Sequence, residues 1–532
     1  VHFKLKIVLE SPLIAGGGGS NWWAVDKTTA FDDEGLFIPA TAIKGMLSEA
    51  AERFFGKIEV VKTLFGEPGR DLSSKGILNF YKARPAQESE QFTDRYHVSI
   101  SRKTRTAMQN RLFSIRAAER GQVFEATITS DRELSDQEMA LLKQFEKLPL
   151  KLGGMKSAGY GRVRVKIEEQ TENTKTIDVK PGVKVWLLVF EASSPFIVAE
   201  DATSRRKKTY LIRSKDHVPG SSVRGALAYR YGFQKDGFAE IFESGRVRFP
   251  YLYPSSKAAK TVPAPVTLLR PKYSSDQIRK DSLVERLAEV LSDNRVVYKN
   301  NLKKDKEERY EPAGGYLAGG ELYEPSHVLS THIPISRKLG NAEYGKLWVY
   351  DAVKTKYLVG ELIGEPDLIA KLDLSEIYVG VGKSRGFGRL VLKSATPLNL
   401  NMLQKLKEAN EYFKTRRLQY EDKGLLVPLL LTSPFAGDLN TALGDGYDPV
   451  LVIAGRYFIK GYDMKNDVPK PVVRAIAPGS VVVYNTKKSF EEVARELESL
   501  KIKGLGDPSY TVVGCGNFDV YNPARLEVKG NG

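Results

Sequence analysis

The sequence holds a single cysteine, Cys515, which excludes an intrachain disulfide framework and any zinc site built from several thiolates. Its five histidines, His2, His97, His217, His327 and His332, are too scattered for a His-rich metal cage. Long apolar runs are missing too. Val183–Phe190 is already interrupted by Lys184, far short of the ~20 residues that cross a bilayer. No signal pattern opens the chain. The expectation is a soluble protein of a reduced, cytoplasmic compartment with no membrane partner. Core-forming residues and positive charge are abundant. Hydrophobics make up 42% of 532 residues and aromatics 10%, enough for sizeable cores, and the length suits roughly three domains. Lys+Arg number 81 against 65 Asp+Glu, and the net charge of +16 suits a polyanionic partner.

Internal repetition organises the chain. Phe3, Leu5, Ile7 and Leu9 alternate with Lys4, Lys6 and Val8 ahead of Ser11-Pro12, the period of a strand with one buried face. The pattern returns as KVWLLVFEASSPF, with Ser194-Pro195, and as LLVPLLLTSPF, with Ser433-Pro434. Proline stops ladder donation at each strand end, and three modules are the simplest account. IPATAIKGML at Ile38–Leu47 answers VPGSSVRGAL at Val218–Leu227, each opening a helix. In the first, Ile43, Met46, Leu47, Ala50, Ala51 and Phe54 form one apolar stripe. HVSISRKTR at His97–Arg105 answers HIPISRKLG at His332–Gly340, and KSAGYGRV at Lys156–Val163 answers KSRGFGRL at Lys383–Leu390. The paired placement of His97 and His332 favours a structural role.

Composition sets the boundaries. Glu168–Gly182 is a polar stretch ending in Pro-Gly and reads as a linker. Asn401–Asp422 is charged and helix-prone and reads as a bridge, and Pro254–Pro325 as a charged insertion with a short helix around Asp281–Leu291. The division is 1–167, linker 168–182, 183–397 with insertion 254–325, helical linker 398–423, and a degenerate last module 424–532. Strand, helix, strands, then a glycine loop and closing strand predict an α+β fold of tandem ferredoxin-like, split βαβ modules.

Cations mark the candidate binding positions. Lys44 and Arg224 stand at equivalent first-turn positions, off the apolar stripe and beside amides with no intrahelical partner, an arrangement that suits a phosphate. Glycines in the KSxG(Y/F)GR loops let backbone approach a ligand closely. Lys156, Ser157 and Arg162 in the first loop, with Lys383, Ser384, Arg385 and Arg389 in the second, add phosphate-pairing donors. Arg102 and Lys103, echoed by Arg337 and Lys338, and the run Arg205, Arg206, Lys207 and Lys208 are further RNA-contact candidates. GVGKS is not a P-loop, because Ile377 stands where that motif needs glycine. Nor is KSAGYGR a dinucleotide fingerprint, since a strand pattern follows it instead of a helix. RGFGRLVL resembles the RNA-recognition signature with Arg389 in place of its second aromatic, which favours backbone gripping over base stacking.

Together these stretches resemble the RAMP superfamily of CRISPR–Cas proteins. Residues 1–167 resemble the backbone subunit of type III effectors (Cas family seven), on GGGGSNWWAVDKTTAFDDEGLFIPATAIKGML, TLFGEPG, ISRKTRTA and KSAGYGRV. Residues 183–531 resemble the subunit capping the guide's 5′ repeat-derived tag (Cas family five) in its type III-D form, on VPGSSVRGAL, KSRGFGRL, PKPVVRAIAPGSVVVY and GLGDPSYTVVGCG. The resemblance implies a fusion of the two subunits, with guide CRISPR RNA and target RNA as partners. It also implies assembly with further backbone subunits, a large polymerase-like Cas subunit and a small helical subunit. Capping subunits can carry Cys/His ligands in the insertion; Pro254–Pro325 has neither residue, so no zinc is expected.

In the backbone family an aspartate between the first strand and the IPxxxxKG helix cuts paired target RNA. AVDKTTAFDD places Asp26 there, with Asp32 and Asp33 nearer the helix as loop and helix-dipole residues. The resemblance implies a Mg²⁺- or Mn²⁺-dependent endoribonuclease, with Asp26 the candidate anchor and a thumb-like hairpin flipping target nucleotides out. In-line attack by a ribose 2′-hydroxyl needs geometry, a proton acceptor or metal anchor, and nearby cations. Trp22 and Trp23 either support this loop or meet unstacked bases. Asp201 lies near the equivalent place in the second module, but the basic run beside it reads as an RNA grip, so no second cutting site is assigned. Two other readings stay open: a non-catalytic guide-RNA scaffold with Asp26 inert, and a metal-free guide-processing ribonuclease. The latter usually wants a histidine near the first helix, whereas His2 is at the chain end and His217 follows a different loop.

Overall fold

In the computed structural model, residues 1–17, 25–67, 74–87, 91–170, 179–200, 210–272, 280–293, 310–334, 347–416, 418, 424–463 and 468–525 are described. The chain divides into two units. The first comprises Val1–Thr174, Ser330–Val349 and Val381–Arg389, and the second Lys175–Leu329, Tyr350–Gly380 and Leu390–Gly532. Among the described residues, no helix is long and apolar enough to cross a membrane.

The first unit begins as its alternation predicts. β1 (His2–Leu9) buries Phe3, Leu5, Ile7 and Leu9 on one face, none more than 1% exposed. After it come β2 (Lys27–Thr29), α1 (Ala40–Phe55), β3 (Leu78–Phe80), β4 (Phe92–Ile100), β5 (Ala107–Ala118), β6 (Val123–Ser130), α2 (Asp136–Gln144) and β7 (Arg162–Gln170). The main sheet runs β7-β1-β6-β3 with antiparallel neighbours, the strand order of a split βαβ unit. Ile43, Met46, Leu47, Ala50 and Ala51 of α1 pack on the buried face of β1. Phe54, expected on that stripe, is instead exposed, and its neighbour Phe55 packs edge-on against Phe145. A reciprocal Ser135–Glu138 capping box starts α2. The Ser-Pro at the end of β1 has a second use: Ser11 Oγ accepts the Arg162 N–H at 2.8 Å, tying the first strand to the closing one. β4 and β5 form a long hairpin apart from this sheet, and β2 joins β5 in parallel.

The second unit carries two larger sheets and several small ones among its described residues. β8 (Val185–Ala192), α3 (Gly220–Tyr231), β9 (Val247–Arg248), β10 (Tyr357–Gly364) and β11 (Arg389–Pro397) give the order β9-β10-β8-β11. α4 (Met402–Thr415) leads to β12 (Leu425–Leu431), β13 (Asp448–Ile453), β14 (Arg456–Ile459), β15 (Val473–Ile476), β16 (Val481–Thr486), α5 (Phe490–Lys503) and β17 (Phe518–Val520). The last sheet runs β13-β16-β12-β17. Ser433 Oγ accepts the Asn517 N–H at 2.7 Å, the counterpart of the Ser11 bond. α4, read from sequence as a bridge, is also core: Met402, Leu406 and Ala409 lie among Val427, Leu429 and Leu431. The insertion helix forms at Leu283–Asp293.

A buried ionic knot sits in this unit. Lys260 Nζ lies 2.8 Å from Glu361 and 2.6 Å from Asp519; Lys405 reaches Asp519 at 2.7 Å and Lys501 reaches Glu361 at 2.6 Å. Burial pushes both carboxyls up, but the lysines outweigh it and hold them well below the usual carboxylate range. The knot gathers β10, α4, α5, β17 and the insertion, segments far apart in sequence. Stripping one partner leaves charges buried and unmatched. Glu361→Ala is therefore expected to destabilise the second unit by about 3–5 kcal/mol in a urea titration; a change within ~0.5 kcal/mol, the range of ordinary surface substitutions, would refute the knot.

Candidate functional site

Asp26 stands at the start of β2, where that strand meets the hairpin. Its Oδ2 accepts the Ser114 N–H at 2.7 Å and the Ser114 hydroxyl at 3.1 Å, while the Asp26 N–H donates to Ser114 Oγ at 3.1 Å. The carboxyl pKa is lowered, first by that backbone N–H and then by the hydroxyl. The side chain is exposed and ionised at neutral pH, and Oδ1 is not engaged by Ser114. Asp32, by contrast, is absorbed by Lys82 at 3.0 Å and Arg84 at 2.7 Å.

The hairpin connects Asp26 to the first glycine loop. Next to Ser114, the Phe113 ring carries the Lys27 ammonium at 4.9 Å on its face and stacks with His97 at 5.5 Å. His97 Nε2 meets the Tyr160 hydroxyl of the KSAGYGR loop at 2.8 Å. His332 repeats this arrangement: it stacks on Trp348 at 5.7 Å and touches Phe387, the loop residue matching Tyr160, at 6.2 Å. Burial, aided by Arg385, pushes His332 down to about 4, so it is neutral. Both histidines act as aromatic spacers between a strand and its glycine loop. The hairpin presents Tyr96, Ile100 and Leu112 to solvent, each more than 60% exposed.

Within the first unit, the second glycine loop lies against α1 and β3. Gly386 has φ +92°, and a Cβ there would come 2.9 Å from Ala40 Cβ and 3.2 Å from the Phe80 carbonyl oxygen. In this fit Arg385 stands near Lys44 at the N-terminal end of α1, while Lys383 has Lys75 as its neighbouring cation. Burial, with help from Arg385 and Lys75, depresses Lys44 to about 8. Burial and Lys75 do the same to Lys383, against the pull of Asp131. Lys75 itself pairs with Asp131 at 2.7 Å. Arg385 sits over the Trp348 ring, and Arg389 lies over Tyr81 and donates to His2 Nδ1 at 3.3 Å. Two desolvated lysines with further cations nearby, close to a helix N-terminus with no acid in its first turn, have the chemistry that suits an anion.

The other sequence-predicted positions vary. Lys156 reaches Glu49 at 2.9 Å, Ser157 and Arg162 are exposed on the first loop, and Arg102 and Lys103 are exposed at the hairpin tip. Arg224 donates to the Phe242 carbonyl at 2.9 Å, which commits part of its guanidinium to packing. Arg205, Arg206 and Arg337, with Trp22, Trp23, Asp201 and Lys338, lie outside the described residues. Sequence reasoning missed Ser114, Tyr160 and Lys75; the neighbouring motifs marked their regions but not their partners. Among the described residues no three His, Cys, Asp or Glu side chains converge on a metal-sized site. A hydrated divalent ion binds through as few as one or two carboxylates and keeps several waters, and the exposed Asp26 carboxylate has an Oδ1 that Ser114 does not engage.

Residues 6–164 match the sequence profile of the RAMP superfamily. No curated protein sequence matches the chain. Solved structures similar to it include a type III-B Cmr-beta complex in the apo state (12% identity, TM-score 0.28, covering 32% of this chain and 98% of that one). Another is the type III-B Cmr-beta bound to cognate target RNA (11%, 0.27, covering 31% and 97%). A third is a type IV-B CRISPR complex (14%, 0.24, covering 33% and 93%).

Removing the Ser114 hydroxyl weakens the clamp on Asp26. In Ser114→Ala the Asp26 carboxyl is expected to titrate at higher pH than in the parent, read by carbon-13 NMR of aspartate-labelled protein. An unmoved midpoint would show that the hydroxyl does not hold the carboxylate.

Proposed function

We propose that the chain is a RAMP subunit of a type III, III-D-like CRISPR effector. In this reading it fuses a backbone module to a tag-capping module, holds guide RNA, and cleaves the paired target RNA at one site through Asp26. The observation that carries the RNA-binding part is the second glycine loop seated against α1, with Arg385 and Lys75 near Lys44 and Lys75 near Lys383. Such a group costs free energy until an anion neutralises it. A ribose-phosphate backbone supplies that charge, and the amides of α1 add donors. The RAMP match over residues 6–164 supports the same reading for the module that contains Asp26.

For cleavage, the low pKa makes Asp26 a weak proton acceptor and a good carboxylate ligand. Mg²⁺ held there would stabilise charge developing on the scissile phosphate. Ser114 fixes the carboxylate at the base of the hairpin, whose exposed Tyr96, Ile100 and Leu112 suit a thumb inserted among bases. Lys27, beside Asp26 in sequence, adds positive charge near the reacting phosphate. The Ser114 clamp also favours the second reading. A carboxylate that accepts two local donors pins β2 to the hairpin, and an inert Asp26 in a scaffold subunit needs no more than that.

Incubating the assembled complex with labelled target RNA and Mg²⁺ separates the two readings. Asp26→Asn is expected to abolish one cut with the guide still bound; an unaltered ladder would establish the scaffold. Lys44→Ala should weaken guide binding and reduce the salt slope by about 0.7, the share of one single-strand phosphate, with filter binding as the measure. The pH dependence has a definite sign. Lys44 and Lys383 are charged below about 8 and neutral above it, so guide affinity is expected to fall between pH 7 and 9. The decline should flatten in the doubly substituted Lys44→Ala, Lys383→Ala protein.

A further inference from the structure

The ribbon formed by β14 and β15 has two unlike faces. Alternation turns Tyr457 and Ile459 inward, toward Tyr251, Tyr253, Tyr316 and Cys515. Tyr457 is anchored there by Lys215, whose Nζ donates to its hydroxyl at 3.1 Å. The outward positions are Arg456, Phe458, Lys460 and Tyr462 on one side, a strict alternation of cation and aromatic ring. Across the ribbon, Arg474 stands directly opposite Phe458, and the register shifts by one residue between the Ile459–Val473 and Tyr462–Pro469 pairs. Beyond β14 the pairing goes on, with the Lys470 N–H donating to Gly461 O at 2.9 Å and Tyr462 facing Pro469. Phe458 is 49% exposed and Val472 59%. None of the four outward positions from Arg456 to Tyr462 is acidic.

A two-stranded ribbon gains nothing from displaying aromatic rings to water, and an apolar patch framed by charge marks an interaction surface. Rings at every second outward position, with cations between them, match a chain of stacked bases and phosphates. The geometry points to this face as a platform for single-stranded RNA, with bases stacking on Phe458 and Tyr462 and phosphates paired to Arg456, Lys460 and Arg474. The site is separate from the glycine loops and from Asp26. The choice of RNA over DNA rests on the function proposed above.

The test uses the full chain and a 4-thiouridine-substituted oligo-uridine, crosslinked by light and mapped by mass spectrometry, with anisotropy titrations alongside. Adducts are expected on Phe458 or Tyr462. Phe458→Ala should weaken binding by about fivefold to a hundredfold, and Phe458→Trp should restore it. Arg456→Gln with Arg474→Gln should lower the salt slope by about 0.7 for each phosphate left without its cation. Phe458 is exposed, so an unchanged melting curve will confirm that its substitution leaves the fold intact. Adducts confined to the Lys156–Arg162 loop, with unchanged affinity in the ribbon variants, would overturn the platform and leave the proposed function standing. A parent protein that binds no RNA would remove both. Equal affinity for oligo-thymidine DNA would overturn the assignment to RNA. Ribbon-dependent retention on phosphatidylserine vesicles without RNA binding would replace the nucleic acid by a membrane.

Discussion

Like charges held close together and away from water govern the candidate binding surface of the first unit. The tight seating of Gly386 against Ala40 and Phe80 leaves the second glycine loop little room to withdraw, so Arg385 stays near Lys44 and Lys383 near Lys75. The protein tolerates this because two of the cations are lysines whose ammonium groups can shed a proton. Arg385 cannot do so and stacks on Trp348 instead. The Lys75–Asp131 pair supplies the nearby negative charge. Phosphate binding as proposed for the first unit depends on that electrostatic tension.

The two glycine loops share letters and differ in surroundings. In the first, Tyr160 reaches His97 and through it Phe113, one residue from the Ser114 that clamps Asp26. In the second, Phe387 and His332 hold the same relative positions while the cations turn toward α1. The repeated histidine is thus explained by shape: a flat ring fitted between a strand and a loop. The two matching stretches thus carry a hairpin-and-carboxylate arrangement in one place and a group of cations facing α1 in the other.

Much of the framework was legible because it is local. Period-two alternation located β1 and β7, helical spacing located α1, and the glycine loops showed where backbone must adopt positive φ. The contacts that make the site are not local. Asp26 and Ser114 lie 88 positions apart, and His97 and Tyr160 lie 63 apart. No periodicity encodes such pairings. The knot of Lys260, Lys405, Lys501, Glu361 and Asp519 was illegible for the same reason, since charged residues in sequence look like solvated surface until the fold buries them. Phe54 shows the converse error: a residue at core spacing that the fold leaves in water.

The half-buried lysines have one more consequence. At a pH near 8, Lys44 and Lys383 are part neutral in the empty protein, and a phosphate laid against them favours their ammonium forms. In the proposed function, loading the nucleic acid is then also an act of proton uptake. The heat measured on mixing will therefore carry a share from whichever buffer gives up those protons.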